Sequence, residues 1–275
     1  MEAKLQRRVQ RYGWDKAAQY YEAGWQNALT PAQDKTLSIA AASPGETVVD
    51  VACGTGLLTF PLAQAVGPSG RVIATDLSGA MVEAVASSAR SRGLTHIKTL
   101  RADAEHLSEI PADAADLYTC ALGLMYVADP ARAISEALRV LKPGGRAVIA
   151  VWGARAACGW AEIFPIVDAR VNTAVCPLFF ALGTGGALEG EMSKAGFADV
   201  GSVRFASTLI YDDEASALDA AFAAGPVALA YSRFDEKTRA AAHQEYLASI
   251  APWWDGNRFR LPGEFVVSWG RRAGG

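Results

Sequence analysis

Short β-branched runs alternate with helical stretches from Thr47 onward, and this alternation limits the folds open to the chain more than any other feature. Five runs are candidate central strands: residues 47–51, 71–75, 97–100, 116–120 and 146–151. Strands separated by helices of this length predict βαβ units, and therefore a mainly parallel sheet covered by helices on both faces. Such sheets bind ligands at the carboxyl ends of their strands.

The stretches between these runs carry recognisable helix signals. Helices are expected from about residue 57, over residues 79–92 and over residues 130–141. Asp129 is placed to cap the last of them, and Pro130 fits its first position. A Lys-Pro-Gly-Gly turn at residues 142–145 then ends that helix.

Composition favours a single globular domain. The 275 residues are 51% hydrophobic and 20% charged, which supplies ample material for a core. A net charge of -3 disfavours nucleic acid as a partner, and no apolar run is long enough to span a bilayer, so a cytoplasmic protein is expected. The four cysteines form no CxxC pair, which predicts reduced thiols. The domain is divided into N-terminal lid helices (1–30), a cofactor-binding core (46–152) and two substrate-cap insertions (153–190 and 211–262).

A glycine-containing loop follows the first strand. Asp50 ends that strand, and Gly54 and Gly56 allow a ligand to approach the backbone closely. A dinucleotide-binding fingerprint requires a third glycine three residues later, where this chain has Thr59. The fingerprint of an NAD(P)-dependent oxidoreductase is therefore incomplete.

The acid at this loop favours a cationic ligand. A carboxylate at Asp50 would repel a pyrophosphate but attract the ammonium and sulfonium groups of S-adenosylmethionine. Asp76 ends the second strand, where an acid can accept hydrogen bonds from both ribose hydroxyls. At the end of the third strand, Asp103 can accept from the adenine amino group while Ala104 offers its backbone, and Met81 can pack on the adenine face.

Four motifs resemble those of the class I S-adenosylmethionine-dependent methyltransferases, and among them the ubiquinone/menaquinone-biosynthesis-like group. They are Val-Val-Asp-Val-Ala-Cys-Gly-Thr-Gly at 48–56, Ala-Thr-Asp-Leu-Ser at 74–78, Ala-Asp-Ala-Glu at 102–105 and Leu-Lys-Pro-Gly-Gly at 141–145. Their order and spacing make the resemblance specific over roughly residues 46–152. Ala52 departs from the glycine of many relatives, and its small side chain is expected to be tolerated.

The resemblance implies an α/β fold, a Rossmann-like doubly wound seven-stranded sheet that is mainly parallel with an antiparallel last strand, for which residues 265–269 are the candidate. It also implies that the region of Tyr20 and Tyr21 closes over the cofactor, although these rings and Trp25 equally fit the apolar face of a packed helix. The residues expected to contact S-adenosylmethionine are Tyr20, Asp50, Ala52, Gly54, Gly56, Asp76, Leu77, Met81, Asp103, Ala104, Glu105 and Ala121.

The acceptor side of the site is expected to be apolar. The segment after the fourth strand lacks the motifs of amide-nitrogen and cytosine methylation, and it offers no carboxylate for a metal, so no metal is expected. The residues expected to contact the acceptor are Trp25, Leu122, Met125 and Trp152. Methyl transfer needs mainly orientation of the two reactants. If a base is required, the candidates are His106 and Tyr21.

Aromatic residues in the two cap insertions suggest a small, partly apolar or aromatic methyl acceptor. The same aromatics would also pack inserted helices together, so the identity of the acceptor stays open. A protein that binds S-adenosylmethionine without catalysis remains an alternative, because a fold does not guarantee a reaction.

Overall fold

The computed structural model describes residues 3–172, 176 and 178–274. Within them, seven strands form a sheet in the order β3-β2-β1-β4-β5-β7-β6, and β7 is antiparallel to both of its neighbours. The strands are β1 Thr47–Val51, β2 Arg71–Asp76, β3 Ile97–Arg101, β4 Ala115–Ala121, β5 Leu141–Trp152, β6 Phe197–Tyr211 and β7 Phe259–Arg272. The predicted doubly wound sheet with an antiparallel last strand is confirmed.

Helices cover both faces of the sheet. They are α1 Ala3–Ala40, α2 Thr59–Val66, α3 Gly79–Ser91, α4 Pro130–Val140, α5 Ile163–Asp168, α6 Ala187–Ala195, α7 Glu214–Leu218, α8 Ala228–Tyr231 and α9 Glu236–Ile250. Successive residues of β1 belong to hydrophobic clusters on opposite faces of the sheet. Val48 packs with α2 on one face, and Val49 packs with α4 on the other. Burial on both faces explains why the central strands are continuous apolar runs.

Side-chain caps fix the starts of two helices beside the carboxyl edge of the sheet. Asp129 accepts a hydrogen bond from the backbone N–H of Arg132 at 3.0 Å, as predicted for the start of α4. Ser78 caps α3 by accepting from the N–H of Met81 at 3.2 Å. The predicted 142–145 turn lies inside β5 instead, because Leu141 already pairs with Ala115 before a register shift.

The N-terminal segment and the region before the last strand differ from expectation. Lid helices were predicted within residues 1–30, and the described part of this segment belongs to one helix, Ala3–Ala40, which continues through Pro31. Residues 197–211 form β6, a strand that was not predicted. The 211–262 insertion contains α7 to α9 and a π-helical turn, Asp219–Ala223. Part of the 153–190 insertion, residues 173–175 and 177, lies outside the described residues.

Among the described helices, none is long and apolar enough to cross a membrane.

Candidate active site

The loop after β1 turns sharply, and its residues take left-handed backbone conformations. The φ angles of Ala52, Gly54 and Gly56 are 54°, 54° and 98°. A Cβ atom at Gly56 would lie 2.5 Å from the ring of Phe60, so glycine is required there for space as well as for conformation. Ala52 is a non-glycine residue in this strained region, which is common where a backbone must face a ligand.

A second strained residue stands opposite Ala52 at the end of β4. Leu122 has a φ of 61°, and it lies between Ala121 and Gly123. A Cβ at Gly123 would lie 2.2 Å from the Cβ of Ala52, so the two backbone turns are in close contact. Because residue 123 is glycine, there is room for the methyl group of Ala52. This explains how the loop can accommodate alanine at position 52.

Asp50 is buried below the loop and is held by two hydroxyls. Thr59 Oγ1 donates to its Oδ2 at 2.6 Å, and Thr119 Oγ1 donates to its Oδ1 at 2.8 Å. Burial raises the pKa of Asp50 to about 6, although both hydroxyls oppose the shift. Asp50 lines a small cavity beside the main one and is not among the residues that line the main cavity.

Asp76 lies at the end of β2 and faces the main cavity. Its Oδ2 accepts from the N–H of Gly54 at 3.0 Å and its Oδ1 from the N–H of Ser78 at 2.8 Å. Burial is the main cause that raises the pKa of Asp76 to about 6, and these backbone donors oppose it. A carboxylate has about four lone-pair sites, so these backbone donors leave Asp76 with capacity to accept from a ligand.

A cavity of about 740 Å³, including its open mouth, runs along these strand ends. Nine residues predicted to contact the cofactor line it: Ala52, Gly54, Asp76, Leu77, Met81, Asp103, Ala104, Glu105 and Ala121. We call this space the cofactor cavity.

One face of α1 closes the cofactor cavity. Arg7, Gln10, Trp14 and Tyr21 line it, whereas Tyr20 is 49% exposed and is not among the lining residues. Asp103 Oδ2 lies 2.9 Å from Arg7 Nε, and the same guanidinium also bonds to Glu105. The spacing of seven residues between Arg7, Trp14 and Tyr21 puts them on one helical face, a periodicity that could have selected Tyr21 over Tyr20.

Glu105 has a second, structural role. It is 1% exposed, and its Oε1 accepts from the N–H groups of Ala128 and Asp129 at 2.8 and 3.1 Å. Asp15 on α1 provides another link by accepting from Ser78 Oγ at 2.6 Å. The N-terminal helix is therefore bonded to both the β2 and the β3 ends of the cavity.

An aromatic chamber adjoins the cofactor cavity on the side of β4 and β5. It is lined by Trp14, Tyr21, Trp25, Leu29, Leu122, Tyr126, Trp152, Trp160 and Pro226. The rings of Trp25, Trp152 and Trp160 contact one another, with centroids 4.9 to 6.1 Å apart. Trp25, Leu122 and Trp152 were predicted to contact the acceptor, and Trp14, Tyr126 and Trp160 were missed.

Four further predicted residues lie outside the lining of both spaces. Gly56 belongs to the loop after β1 but lines neither space. Met125 is 3% exposed and also lines neither space. His106 is exposed and does not line them, so the structure does not bring this candidate base to the reacting groups. Tyr20 faces away, as described above. Tyr21 lines both spaces, but burial raises its pKa, which makes it a poor base at neutral pH.

One group of potential metal ligands lies at the cavity rim. Ligand atoms of Asp103, Glu105 and His106 lie within 4.8 Å of one another. The guanidinium of Arg7 already provides positive charge to both carboxylates. The expectation that the protein works without a metal remains a prediction.

Comparison with known proteins shows the family to which the chain belongs. Residues 30–157 match the model of the ubiE/COQ5 methyltransferase family. Nocamycin O-methyltransferase of Saccharothrix syringae is 30% identical over 203 residues, which cover 68% of this chain and 71% of that enzyme. The chain belongs to the class I S-adenosylmethionine-dependent methyltransferases, in the ubiE-like group. The cofactor of this family is S-adenosylmethionine.

Two further relatives mark the limits of the likeness. The ubiquinone/menaquinone biosynthesis C-methyltransferase UbiE of Marinomonas sp. is 36% identical over 115 residues, which cover 42% of this chain and only 45% of that enzyme. The crystal structure of the YcgJ protein from Bacillus subtilis superposes with a TM-score of 0.63 at 16% identity, covering 90% of this methyltransferase chain and 100% of that one. The first likeness covers less than half of either chain, and the second concerns the fold.

Proposed function

We propose that this protein transfers the methyl group of S-adenosylmethionine to a small, partly apolar or aromatic molecule bound in the aromatic chamber. The observation that carries the proposal is a shared wall. Trp14, Tyr21, Leu122 and Tyr126 line both the cofactor cavity and the aromatic chamber. Because these residues border both spaces, the two spaces adjoin, and the methyl group of a bound cofactor would lie beside an acceptor in the chamber.

The cofactor's expected orientation follows from the donors and acceptors of the cavity. Asp76 would accept the ribose hydroxyls, while Met81 and Leu77 would enclose the adenine near Asp103. The methionine part would then extend past Ala52 and Gly54 toward Leu122. The negative charge of Asp50 beneath the loop favours the cationic groups at that end.

Orientation is the main contribution that we assign to the protein in catalysis. The methyl group of a sulfonium is already activated for in-line displacement, and holding both reactants in position can contribute up to ~7 to 11 kcal/mol in favourable systems. Rigid aromatic walls suit this task because their rings have few rotatable bonds and pack against one another. The proposed site needs no metal for this step.

The acceptor cannot be inferred from the C-methyltransferase relatives. The family match spans residues 30–157, whereas Trp14, Tyr21 and Trp25 precede it and Trp160 follows it. The longer likeness to nocamycin O-methyltransferase supports a small-molecule acceptor with a nucleophilic oxygen. The aromatic lining of the chamber is therefore the main support for a partly apolar or aromatic acceptor.

Calorimetric titration and product detection test the proposal. S-adenosylmethionine should bind the purified protein, and NAD(P) should not, because Thr59 occupies the position of a required glycine and donates to Asp50. S-adenosylhomocysteine should then be released with at least one member of a panel of phenols, enols, thiols, quinones and amines. Tight binding of NAD(P) alone would refute the cofactor assignment. Cofactor binding with no product across the panel would favour a non-catalytic protein.

A further inference from the structure

Trp160 lines the aromatic chamber, and its indole N–H is a buried donor. Trp160 is 2% exposed, and its Nε1 has no hydrogen-bond partner among the described residues. The neighbouring Trp25 is satisfied, since its Nε1 donates to the carbonyl of Ala220 at 3.1 Å. An unpaired buried donor is costly and uncommon in folded proteins. A ligand with an acceptor atom in the chamber would satisfy it.

No described residue in the chamber lining is a group that could remove a proton at neutral pH. The described lining contains no Asp, Glu, His, Lys or Arg side chain. The ionisable groups in that lining are the phenols of Tyr21 and Tyr126, and burial raises the pKa of both. Both phenols therefore stay protonated at neutral pH. An acceptor must lose its proton before it enters, or it must be nucleophilic without losing one.

Low polarity around the reacting atoms favours an anionic acceptor. Transfer of a methyl cation from a sulfonium to an anion removes two opposite charges, so the transition state is less charged than the reactants. Surroundings of low dielectric therefore lower this barrier once both reactants are bound, and the sulfonium charge offsets the cost of burying the anion. Transfer to a neutral amine instead moves the positive charge onto the product, and the same surroundings give no such advantage.

We propose that the acceptor is a planar, conjugated enol or phenol that is acidic enough to be ionised near neutral pH, with one of its oxygens accepting from Trp160 Nε1–H. This inference rests on the proposed methyl transfer. An oxygen lone pair of the anion forms the new O–CH₃ bond while the C–S bond of the cofactor breaks. The bonding pair stays on sulfur and gives neutral thioether in S-adenosylhomocysteine. The acidic proton has already been released to water.

An ammonium-type acceptor is the main competitor, because aromatic faces attract cations. It fits the chamber less well for two reasons. A protonated amine offers donors but no acceptor for Trp160, and the loss of its proton before entry is disfavoured at neutral pH by the high pKa of an ammonium group. Amine binding is therefore the outcome that the experiment must be able to detect.

Three bicyclic probes of similar size separate these chemistries. 4-Hydroxycoumarin is an acidic enol with a conjugated carbonyl, 2-naphthol is a weakly acidic phenol, and 1-naphthylmethylamine is an amine. Each is titrated calorimetrically into the protein saturated with S-adenosylhomocysteine, so that binding is measured whether or not turnover occurs. We expect 4-hydroxycoumarin to bind most tightly and the amine most weakly. For 2-naphthol, binding should strengthen as pH rises toward the pKa of the probe.

The substitution Trp160→Phe tests the hydrogen bond, since it keeps an aromatic ring and removes the N–H. Affinity for 4-hydroxycoumarin should fall about 10- to 100-fold, the usual effect of losing one hydrogen bond to an anion. Trp269→Phe is the matched control, because Trp269 lies on β7 beside the second core cluster, away from both spaces. Its affinity for the probe should match that of the unaltered protein.

Three results would overturn the inference: tighter binding of the amine than of the enol, no binding of 4-hydroxycoumarin, or an unchanged affinity in a folded Trp160→Phe variant. If that variant fails to fold, the ranking of the three probes on the unaltered protein still decides. Failure of the proposed function gives a different result, because S-adenosylmethionine would then yield no S-adenosylhomocysteine even with a probe that binds.

Discussion

The cofactor cavity and the aromatic chamber share a wall, yet they are built in different ways. The cofactor cavity is formed mainly by the ends of β1, β2, β3 and β4, and its polar contacts are carboxylates fixed by backbone N–H groups. The chamber is formed by side chains from α1, β5 and the segments around Trp160 and Pro226. Binding of the cofactor should therefore depend on a few charged contacts, whereas acceptor binding should depend on shape and on one donor.

The largest expected effect is that of Asp76→Ala on the cofactor. Loss of two hydrogen bonds from the ribose to a carboxylate should weaken S-adenosylmethionine binding by roughly 100-fold or more. Asp116→Ala is the control, because Asp116 pairs with Lys142 and the N–H of Thr47, away from both spaces. Calorimetry should find near-normal affinity in the control. Near-normal affinity in Asp76→Ala would mean that the ribose lies elsewhere.

The chamber should respond in the opposite way to Trp152→Leu. Trp152 contacts Trp25 and Trp160 and is 3% exposed, so shortening it should lower the free energy of unfolding by about 2 kcal/mol. The KM for the best acceptor should rise about tenfold, while affinity for S-adenosylmethionine should change less than twofold. A matching loss of cofactor affinity would contradict the division between the two spaces. Trp269→Leu controls for removal of a tryptophan from the fold.

Acid should weaken cofactor binding, because Asp76 must be ionised to accept both hydroxyls. With a pKa of about 6 in the folded protein, lowering the pH from 7 to 5 should reduce affinity by roughly tenfold. Titrations at several pH values with Asp76→Asn as the reference measure this effect. The reference should have weak affinity that changes little over this range, and an equal pH dependence in both proteins would assign the effect to another group.

Protein stability should follow the opposite trend over the same pH range. Burial raises the pKa of Asp50 and Asp76 from 3.8 to about 6, so the folded state holds their protons more tightly than the unfolded state. Their contribution to stability is present below the unfolded pKa and is lost as pH rises through about 6. Without cofactor, these two groups should therefore raise the unfolding temperature at pH 5 relative to pH 7, whereas His243, whose pKa is lowered by burial, acts in the opposite direction. Replacing Asp50 and Asp76 by Asn should lower the ratio of stability at pH 5 to that at pH 7, and an unchanged pH dependence would contradict the raised pKa values.

The two regions also differ in how much of them the sequence predicts. Asp76 ends β2 within one contiguous motif, and Ala104 follows the end of β3 within another. Strand order alone brings such ends to one edge of the sheet. Trp160 lies in a segment without a recognisable pattern, and its position depends on packing against Trp25 and Trp152. Such contacts between distant segments leave no local periodicity. Tyr21 is intermediate, because helical spacing from Arg7 predicts its face once the N-terminal helix is known to be continuous.

The smallest expected effect concerns the turn at which the two spaces meet. Ala52 has a φ of 54°, a conformation that favours glycine, and its Cβ faces Gly123. Ala52→Gly relieves the backbone strain of the folded protein, but it also makes the unfolded chain more flexible, which favours unfolding. Because the left-handed strain outweighs the added flexibility, the free energy of unfolding should stay constant or rise by up to about 1 kcal/mol.

Ala74→Gly supplies the contrast for that substitution. Ala74 is fully buried in β2, away from the positive-φ positions, so glycine there brings only loss of packing and added flexibility. Chemical denaturation should find it less stable by about 1 kcal/mol. If Ala52→Gly lowers stability as much as Ala74→Gly does, the alanine at 52 must contribute packing against the Gly123 turn that outweighs its strain. The close approach of β1 and β4 would then depend on that methyl group.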